Sequence, residues 1–208
     1  MEKPFSQACE NNKAPILQVL QRAFEHSTKV LEIGSGTGQH ASYFAAALPH
    51  LQWQPSDLEQ NISGIKQWCT GSENVLPPLC FDIHDIQWPV ENIDAVFSAN
   101  TAHIMDWPTA SLMIKRVAEK LPTGGVFALY GPFNYAGHYT SQSNADFDAW
   151  LKEQHPGQGI RNFEDLNALA KDGGLSIFED NRMPANNRLL VWVKQSANLS
   201  STDETDPQ

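Results

Sequence analysis

Three glycines at alternate positions follow a short apolar run and restrict the fold of this chain more than any other feature. The run occupies residues 29–34 and leads into the sequence EIGSGTG at 32–38. A short apolar run that ends in glycine is typical of a buried parallel strand, and closely spaced glycines let the backbone turn tightly and approach a ligand. The motif therefore predicts a strand, a ligand-binding turn and a helix, in that order.

The glycine spacing argues against a dinucleotide site. The dinucleotide fingerprint is G-x-G-x-x-G, whereas here the third glycine falls one residue early and Gln39 follows Gly38. A pyrophosphate at the start of the helix would also lie beside the carboxylate of Glu32. Because that carboxylate can accept hydrogen bonds from an ammonium group, the motif favours a cationic cofactor without phosphate.

Helical and strand periodicities alternate along the chain. The first helix is expected to have Asn11 or Asn12 as its cap and Pro15 in its first turn. Further helices are predicted at residues 38–48, 61–69, 108–121, 147–153 and 163–171. Strands are predicted at residues 29–34, 51–54, 79–81, 93–98, 126–130, 175–178 and 189–193. This order predicts an α/β, Rossmann-like, doubly wound sheet of seven mostly parallel strands that ends in an antiparallel hairpin.

The composition divides the chain into three parts. Residues 1–28 form a leader with one helix, residues 29–194 form the main domain, and residues 195–208 are expected to be a disordered acidic tail. The tail is polar and contains Asp203, Glu204 and Asp206 but no Lys or Arg.

Charge and cysteine content favour a cytoplasmic protein that binds neither nucleic acid nor membranes. The formal net charge is −10, and no cluster of Lys and Arg offers a surface for a phosphate backbone or an anionic bilayer. The three cysteines form no C-x-x-C pair and indicate reduced thiols. No signal-peptide core or membrane span is visible.

The sequence E-x-G-x-G-x-G after a buried strand resembles motif I of the class I S-adenosylmethionine-dependent methyltransferases. The resemblance implies an acid on the ribose hydroxyls at Asp57 and an acid near the adenine amino group at Asp82, with Phe81 or Ile83 packed on the ring. It also implies that Asn100 lies beside the methionine part of the cofactor. The predicted contacts with S-adenosylmethionine are Glu32, Gly34, Ser35, Gly36, Gly38, Asp57, Asp82, Ile83 and Asn100.

A narrower resemblance spans nearly the whole chain. The segments that carry it are ACENNKAPIL near the N-terminus, NTAHIMDW at 100–107, YGPF at 130–133, GHYTSQSN at 137–144, FDAWL at 147–151, GIR at 159–161 and MPANN at 183–187. They are similar to an uncharacterised methyltransferase-like family that includes methyltransferase-like protein 26. That family usually has Arg after the Glu of the first segment, where this chain has Asn11, so the role of that charge stays open.

Candidate catalytic residues lie after the fourth and fifth predicted strands. His103 is the best general base, because its ordinary pKa is near neutral; the alternative is a structural histidine that holds its loop. Tyr139 is the second catalytic candidate. The segment 133–144 is rich in polar side chains and is predicted to form a substrate lid. Predicted substrate contacts are Tyr130, Tyr135, His138, Ser143, Asn144, Arg161, Asn186 and Asn187.

Three further points complete the predicted site. Arg161 is either a carboxylate clamp or part of a structural ion pair. The stretch 10–13 either closes over the cofactor or caps a helix. No metal is expected, because the spacing of His103, Asp106 and His138 matches no ligand signature.

The favoured function is methyl transfer from S-adenosylmethionine to oxygen, nitrogen or sulfur of a small polar molecule, by a monomer or homodimer. The sequence SANTAHI at 98–104 lacks the Asn/Asp-Pro-Pro-Tyr box of adenine and glutamine amide methyltransferases. Two alternatives remain: a non-catalytic binding module or sensor that keeps the fold, and a nicotinamide-dependent oxidoreductase, against which the glycine spacing argues.

Overall fold

A computed structural model describes residues 3–196 of the 208-residue chain. Its helices are α1 (Gln7–Ala23), α2 (Gln39–Ala47), α3 (Glu59–Cys69), α4 (Trp107–Lys120), α5 (Gln142–Gln154) and α6 (Phe163–Asp172). Its strands are β1 (Lys29–Ile33), β2 (Gln52–Asp57), β3 (Leu79–Cys80), β4 (Ala95–Ala99), β5 (Val126–Gly131), β6 (Phe133–Asn134), β7 (Arg161–Asn162), β8 (Leu175–Arg182) and β9 (Arg188–Lys194).

Seven of these strands form one sheet in the order β3-β2-β1-β4-β5-β9-β8. The strands β1 to β5 pair in parallel, while β9 pairs antiparallel with both β5 and β8. The predicted fold class is confirmed. The chain leaves β1 towards one edge and later resumes at β4 on the other side, and ligands of doubly wound sheets bind at such a switch point.

The central strands are buried on both faces of the sheet, as their near-continuous apolar sequences require. On β4, Val96 belongs to a core cluster that includes Met113 of α4. Its neighbour Phe97 belongs to the opposite cluster, together with Phe44 of α2. Successive side chains of a strand point to opposite faces, so the two clusters hold helices against both sides of the sheet.

A second, two-stranded sheet was not predicted. It joins β6 and β7 in parallel, with Phe133 paired to Arg161 and Asn134 paired to Asn162. Residues 135–160 connect these two strands, so the two ends of this segment lie close together. Helix α5 lies within this excursion.

Helix α1 begins earlier than predicted. Its cap is Ser6, whose hydroxyl accepts a hydrogen bond from the amide of Cys9, so the cap predicted at Asn11 or Asn12 is wrong. Pro15 lies inside the helix rather than in its first turn. Burial of Ile16 and Leu20 on one face of the helix stabilises it against the cost of an internal proline.

A strand and another helix also differ from their predicted boundaries. Strand β2 continues through Pro55 to Asp57, with Pro55 in register opposite Glu32. Helix α5 is capped by Ser141 rather than starting near residue 147, which shortens the predicted irregular lid.

The limits of the three predicted parts stay predictions. Residues 197–208 of the predicted tail lie outside the described residues. Between residues 3 and 196, no helix is both long enough and apolar enough to span a bilayer.

Candidate active site

A cavity of about 1100 Å³ opens at the carboxyl ends of β1 and β4, at the switch point of the sheet. Twelve predicted site residues line it: Gly34, Ser35, Gly36, Asp57, Asp82, Ile83, Asn100, His103, Tyr130, Ser143, Asn144 and Asn187. Seven others do not line it: Glu32, Gly38, Tyr135, His138, Tyr139, Arg161 and Asn186.

The glycine turn forms one wall of the cavity. Gly34 and Gly36 have φ angles of +75° and +57°, a region that L side chains rarely adopt. The amides of Gly34 and Ser35 both donate to the carbonyl of Ser56 at 3.0 Å, which holds the turn against β2. A Cβ added at Gly36 would meet no atom within 4 Å, because this position faces open cavity space.

Asp57 at the end of β2 fixes the turn from the other side. Its Oδ2 accepts a hydrogen bond from the Gly36 amide at 2.6 Å. Its Oδ1 accepts from the Leu58 amide at 2.7 Å and from Asn61 Nδ2 at 2.9 Å. An ionised carboxylate offers about four acceptor sites, so these three bonds leave capacity for a ligand hydroxyl.

The far end of the cavity is a slot between apolar side chains. Phe81 and Ile83 are buried there, and the more exposed Leu58 lies nearby on the lining. Asp82 is exposed at the edge of the slot, where its Oδ1 accepts from the His84 amide at 2.9 Å. Apolar side chains with a carboxylate beside them suit a heterocycle that carries an amino group.

Two residues of the glycine motif serve packing instead of lining the cavity. The carboxyl of Glu32 is buried and accepts a hydrogen bond from Trp53 Nε1 at 3.0 Å. Burial raises the pKa of Glu32 to about 7. A Cβ at Gly38 would lie 2.8 Å from the Cα of Ile65, so this glycine lets α2 approach α3 closely.

His103 lies in the loop after β4 and is buried in the cavity wall. Its ring packs edge-on against Phe147 of α5, with 5.4 Å between the ring centroids. Burial lowers the pKa of His103 to about 4, and the charge of Arg161 acts in the same direction. The imidazole is therefore neutral at neutral pH.

Arg161 bonds to backbone carbonyls of the loop that carries His103. Its guanidinium donates to the carbonyls of Ala102 at 3.0 Å and Gly157 at 2.8 Å, and also to the carbonyl of Met105. The side chain lies behind the loop rather than in the cavity. The planar guanidinium suits this task because its donors reach several acceptors at once.

We expect Arg161→Lys to lower the free energy of unfolding by about 2 kcal/mol, since an ammonium group cannot serve all three carbonyls. Urea denaturation followed by circular dichroism measures the change. Arg22→Lys is the matched control, because Arg22 forms an exposed pair with Glu179 at 2.8 Å; such pairs contribute less than about 1 kcal/mol. Equal losses in the two variants would contradict the role given to Arg161.

The predicted lid contributes fewer residues than expected. The Tyr139 hydroxyl donates to Asp148 Oδ2 at 2.6 Å, and Tyr139 does not line the cavity. The Tyr135 hydroxyl donates to Asp180 Oδ2 at 2.8 Å. His138 is exposed on the turn that it forms with Tyr135. Asn186 lies behind the cavity wall, where Nδ2 donates to Ser143 Oγ at 3.3 Å.

A polar cluster that sequence reasoning did not assemble lines the cavity beside Tyr130. His40 Nε2 and Asn12 Oδ1 are 2.7 Å apart, and Asn187 also lines the cavity. Burial lowers the pKa of His40 to about 4. The sequence does offer a signal for His40, because it is a polar residue in the helix turn that directly follows the glycine motif.

The leader lies against the glycine turn. Gln39 Nε2 donates to Glu10 Oε1 at 2.8 Å, and Trp68 Nε1 donates to the carbonyl of Pro4. Asn11 and Asn12 line the cavity, as the predicted closure over the cofactor requires. Across residues 3–196, no group of three or more His, Cys, Asp or Glu side chains is placed to hold a metal ion.

Solved structures with similar folds include methyltransferases. An O-methyltransferase family protein from Burkholderia thailandensis superposes with a TM-score of 0.77 at 17% identity, over 88% of this chain and 56% of that one. Human N-acetylserotonin methyltransferase, solved with SAM, superposes with a TM-score of 0.69 at 15% identity, over 88% of this chain and 56% of that one. At these identities the likeness establishes the fold alone.

A curated relative and a family match complete the comparison. Fatty-acid O-methyltransferase from Mycolicibacterium smegmatis is 30% identical over 129 residues, which are 60% of this chain and 45% of that protein. The chain thus spans less than half of that relative. The family described as "Protein of unknown function (DUF938)" matches residues 3–194. The chain therefore belongs to the DUF938 family, and its fold is that of the class I S-adenosylmethionine-dependent methyltransferases.

Proposed function

We propose that the protein is an S-adenosylmethionine-dependent methyltransferase that acts on an oxygen atom of a small molecule. The observation that carries the proposal is the convergence of the glycine turn, Asp57 and Asp82 on one cavity at the switch point of the sheet. The glycine turn, Asp57 and Asp82 belong to three separate segments of the chain, and all three line this one cavity.

The cavity fits the proposed cofactor. The open space beside Gly36 admits a ligand against the backbone, and Asp57 has acceptor capacity for ribose hydroxyls. The slot of Phe81 and Ile83, with Asp82 at its edge, would hold the adenine, and Asn100 would lie beside the methionine part. When bound, S-adenosylmethionine supplies an electrophilic methyl group on a sulfonium sulfur. Glu32, buried behind the turn, would act by supporting its shape.

We assign His103 the task of accepting the proton of the acceptor. It lines the cavity in the loop after Asn100, and its neutral imidazole is the form that a general base needs. Arg161 and Phe147 fix the loop and the ring, so the base is held in one orientation.

We expect His103→Gln to lower kcat by about 100-fold without changing the affinity for S-adenosylhomocysteine. Methyl transfer to an acceptor found by screening small hydroxyl compounds measures the effect. His50→Gln is the control, because His50 bonds to the Phe24 carbonyl and does not line the cavity.

The pH dependence of the methyl-transfer rate is a second test of the role assigned to His103. A base is active when unprotonated, and a pKa lowered to about 4 keeps His103 unprotonated above about pH 5. We therefore expect a flat rate between about pH 6 and 8, where a histidine of ordinary pKa would lose activity as the pH falls. A rate that declines from pH 7 to pH 6 would contradict the assignment.

Oxygen is favoured as the attacking atom by the names of the similar proteins. The curated relative is named a fatty-acid O-methyltransferase, and the Burkholderia structure is of an O-methyltransferase family protein. The same proposal includes a small-molecule acceptor, a monomer or homodimer, and membership of the narrower family of methyltransferase-like protein 26. It also includes a cytoplasmic location, in line with the free thiols of Cys9, Cys69 and Cys80.

Isothermal titration with S-adenosylmethionine and S-adenosylhomocysteine tests the proposal directly. We expect both to bind with one-to-one stoichiometry and to raise the unfolding temperature. If neither compound binds, the proposal is refuted.

A further inference from the structure

We propose that the methyl acceptor is an uncharged hydroxyl compound with an apolar body, and that the site disfavours carboxylates and phosphates. The inference rests on the proposed function and names the substrate class of the same cavity. It departs from the fatty acid that the name of the curated relative specifies.

The acceptor side of the cavity is largely apolar. Ile104, Met105, Pro132 and Phe147 line it around His103. At the mouth, Ile104 is 53% exposed, and Phe147 stacks on the half-exposed Trp150 with 5.9 Å between ring centroids. Exposed apolar side chains around a cavity mouth indicate a ligand whose apolar part reaches the surface.

No lysine or arginine occurs among the described residues that line the cavity. Cations on adjoining elements have protein partners instead. Arg161 donates to three backbone carbonyls, and Lys152 of α5 pairs with Asp148 at 2.6 Å. An anionic acceptor would find no positive side chain within the cavity wall that the structure describes.

Two amide donors of the wall are also engaged. Asn144 Nδ2 donates to Thr140 Oγ1 at 2.9 Å and to the carbonyl of Asn186 at 3.2 Å. Asn187 Nδ2 donates to two carbonyls in the turn at 184–185, at 3.2 and 3.4 Å. A buried charge without a partner carries a large desolvation cost, so these engaged donors select against an anion.

The two buried histidines of the cavity add no positive charge. His40 and His103 are neutral at neutral pH, because burial lowers the pKa of each to about 4. Asp57 and Asp82 lie at the cofactor end and give the cavity a negative potential. A neutral hydroxyl group needs no cationic partner, and the two carboxylates do not repel it.

A matched pair of ligands tests the inference: 4-propylphenol, which is neutral at pH 7.5, and 4-propylbenzoate, which is anionic. Isothermal titration of the full chain, alone and saturated with S-adenosylhomocysteine, measures both affinities. We expect the phenol to bind about tenfold more tightly or better, because the carboxylate stays unpaired.

A variant that adds a cation gives the converse test. Ile104→Lys places an ammonium group at the half-exposed cavity mouth, and Ile104→Met is the neutral control. We expect the lysine variant to bind the benzoate about threefold more tightly than the methionine variant does, with the gain lost in about 0.5 M salt. The phenol affinity should not distinguish the two variants.

The outcomes separate this inference from the proposed function. If S-adenosylhomocysteine binds and the benzoate binds as tightly as the phenol, the charge inference is overturned and the function stands. If the phenol is preferred but S-adenosylhomocysteine does not bind, the function fails and the inference about cavity charge stands. Failure of both small ligands to bind overturns the inference, because the apolar wall then holds no ligand of this class.

Discussion

We expect Gly36→Leu to lower the affinity for S-adenosylhomocysteine by about 100-fold or more, because the new side chain fills space that the ligand needs. The Cβ at this position points into open space, with no protein atom within 4 Å. The new side chain therefore meets no protein atom, and the only steric conflict is with the ligand. Isothermal titration measures the affinity, and thermal unfolding measures the stability.

Gly124→Leu is the matched control for this substitution. Gly124 has a φ of +80°, its added Cβ also meets nothing within 4 Å, and it does not line the cavity. Both variants should lose about 1–2 kcal/mol of stability from the left-handed backbone. A Gly36 variant that binds S-adenosylhomocysteine as tightly as the Gly124 variant would show that the turn does not face the cofactor.

We expect Asp57→Asn to lower the affinity for S-adenosylhomocysteine by about 10- to 100-fold. The carboxylate now accepts hydrogen bonds from Gly36, Leu58 and Asn61. The substitution replaces one of its oxygens with an amide NH₂, which cannot accept a bond from any of these donors. It also removes the acceptor proposed for the ribose. Stability should fall by about 1–3 kcal/mol, as measured by urea denaturation alongside the titration.

Asp94→Asn separates binding from folding in that experiment. Asp94 accepts hydrogen bonds from the amides of Thr28 and Lys29 and from the Thr28 hydroxyl, and it does not line the active-site cavity. We expect this variant to lose comparable stability while keeping the affinity of the parent chain. If Asp94→Asn weakens cofactor binding as much as Asp57→Asn does, the effect at Asp57 is one of stability alone.

The sequence predicted the residues that follow parallel strands. Gly36, Asp57, Asn100 and His103 all follow the predicted strands within five residues, and all line the cavity. The carboxyl ends of parallel strands meet at one edge of a sheet, so the strand order alone brings these side chains together. Glu32 differs because its side chain, like that of its strand neighbour Val30, lies on the face that packs against Trp53.

Residues outside the parallel strands were predicted less well because their partners are distant in sequence. Tyr135 bonds to Asp180, 45 positions away, and Arg161 bonds to carbonyls of the loop at 102–105. Local pattern identifies polar side chains but does not tell which backbone segment they approach. A polar segment after the fifth strand therefore suggested a lid, while part of it satisfies protein groups instead.

The pairing of β6 with β7 has a consequence for how ligands reach the cavity. The excursion at 135–160 carries α5 and Phe147, and its two ends are pinned together by the short parallel pair. Local unfolding of such a closed segment leaves the seven-stranded sheet undisturbed, so it costs less free energy than global unfolding. Under the proposed function, acceptor entry and product exit would follow fluctuations of this one segment, while the strands that carry the glycine turn and Asp57 keep their protection from solvent exchange.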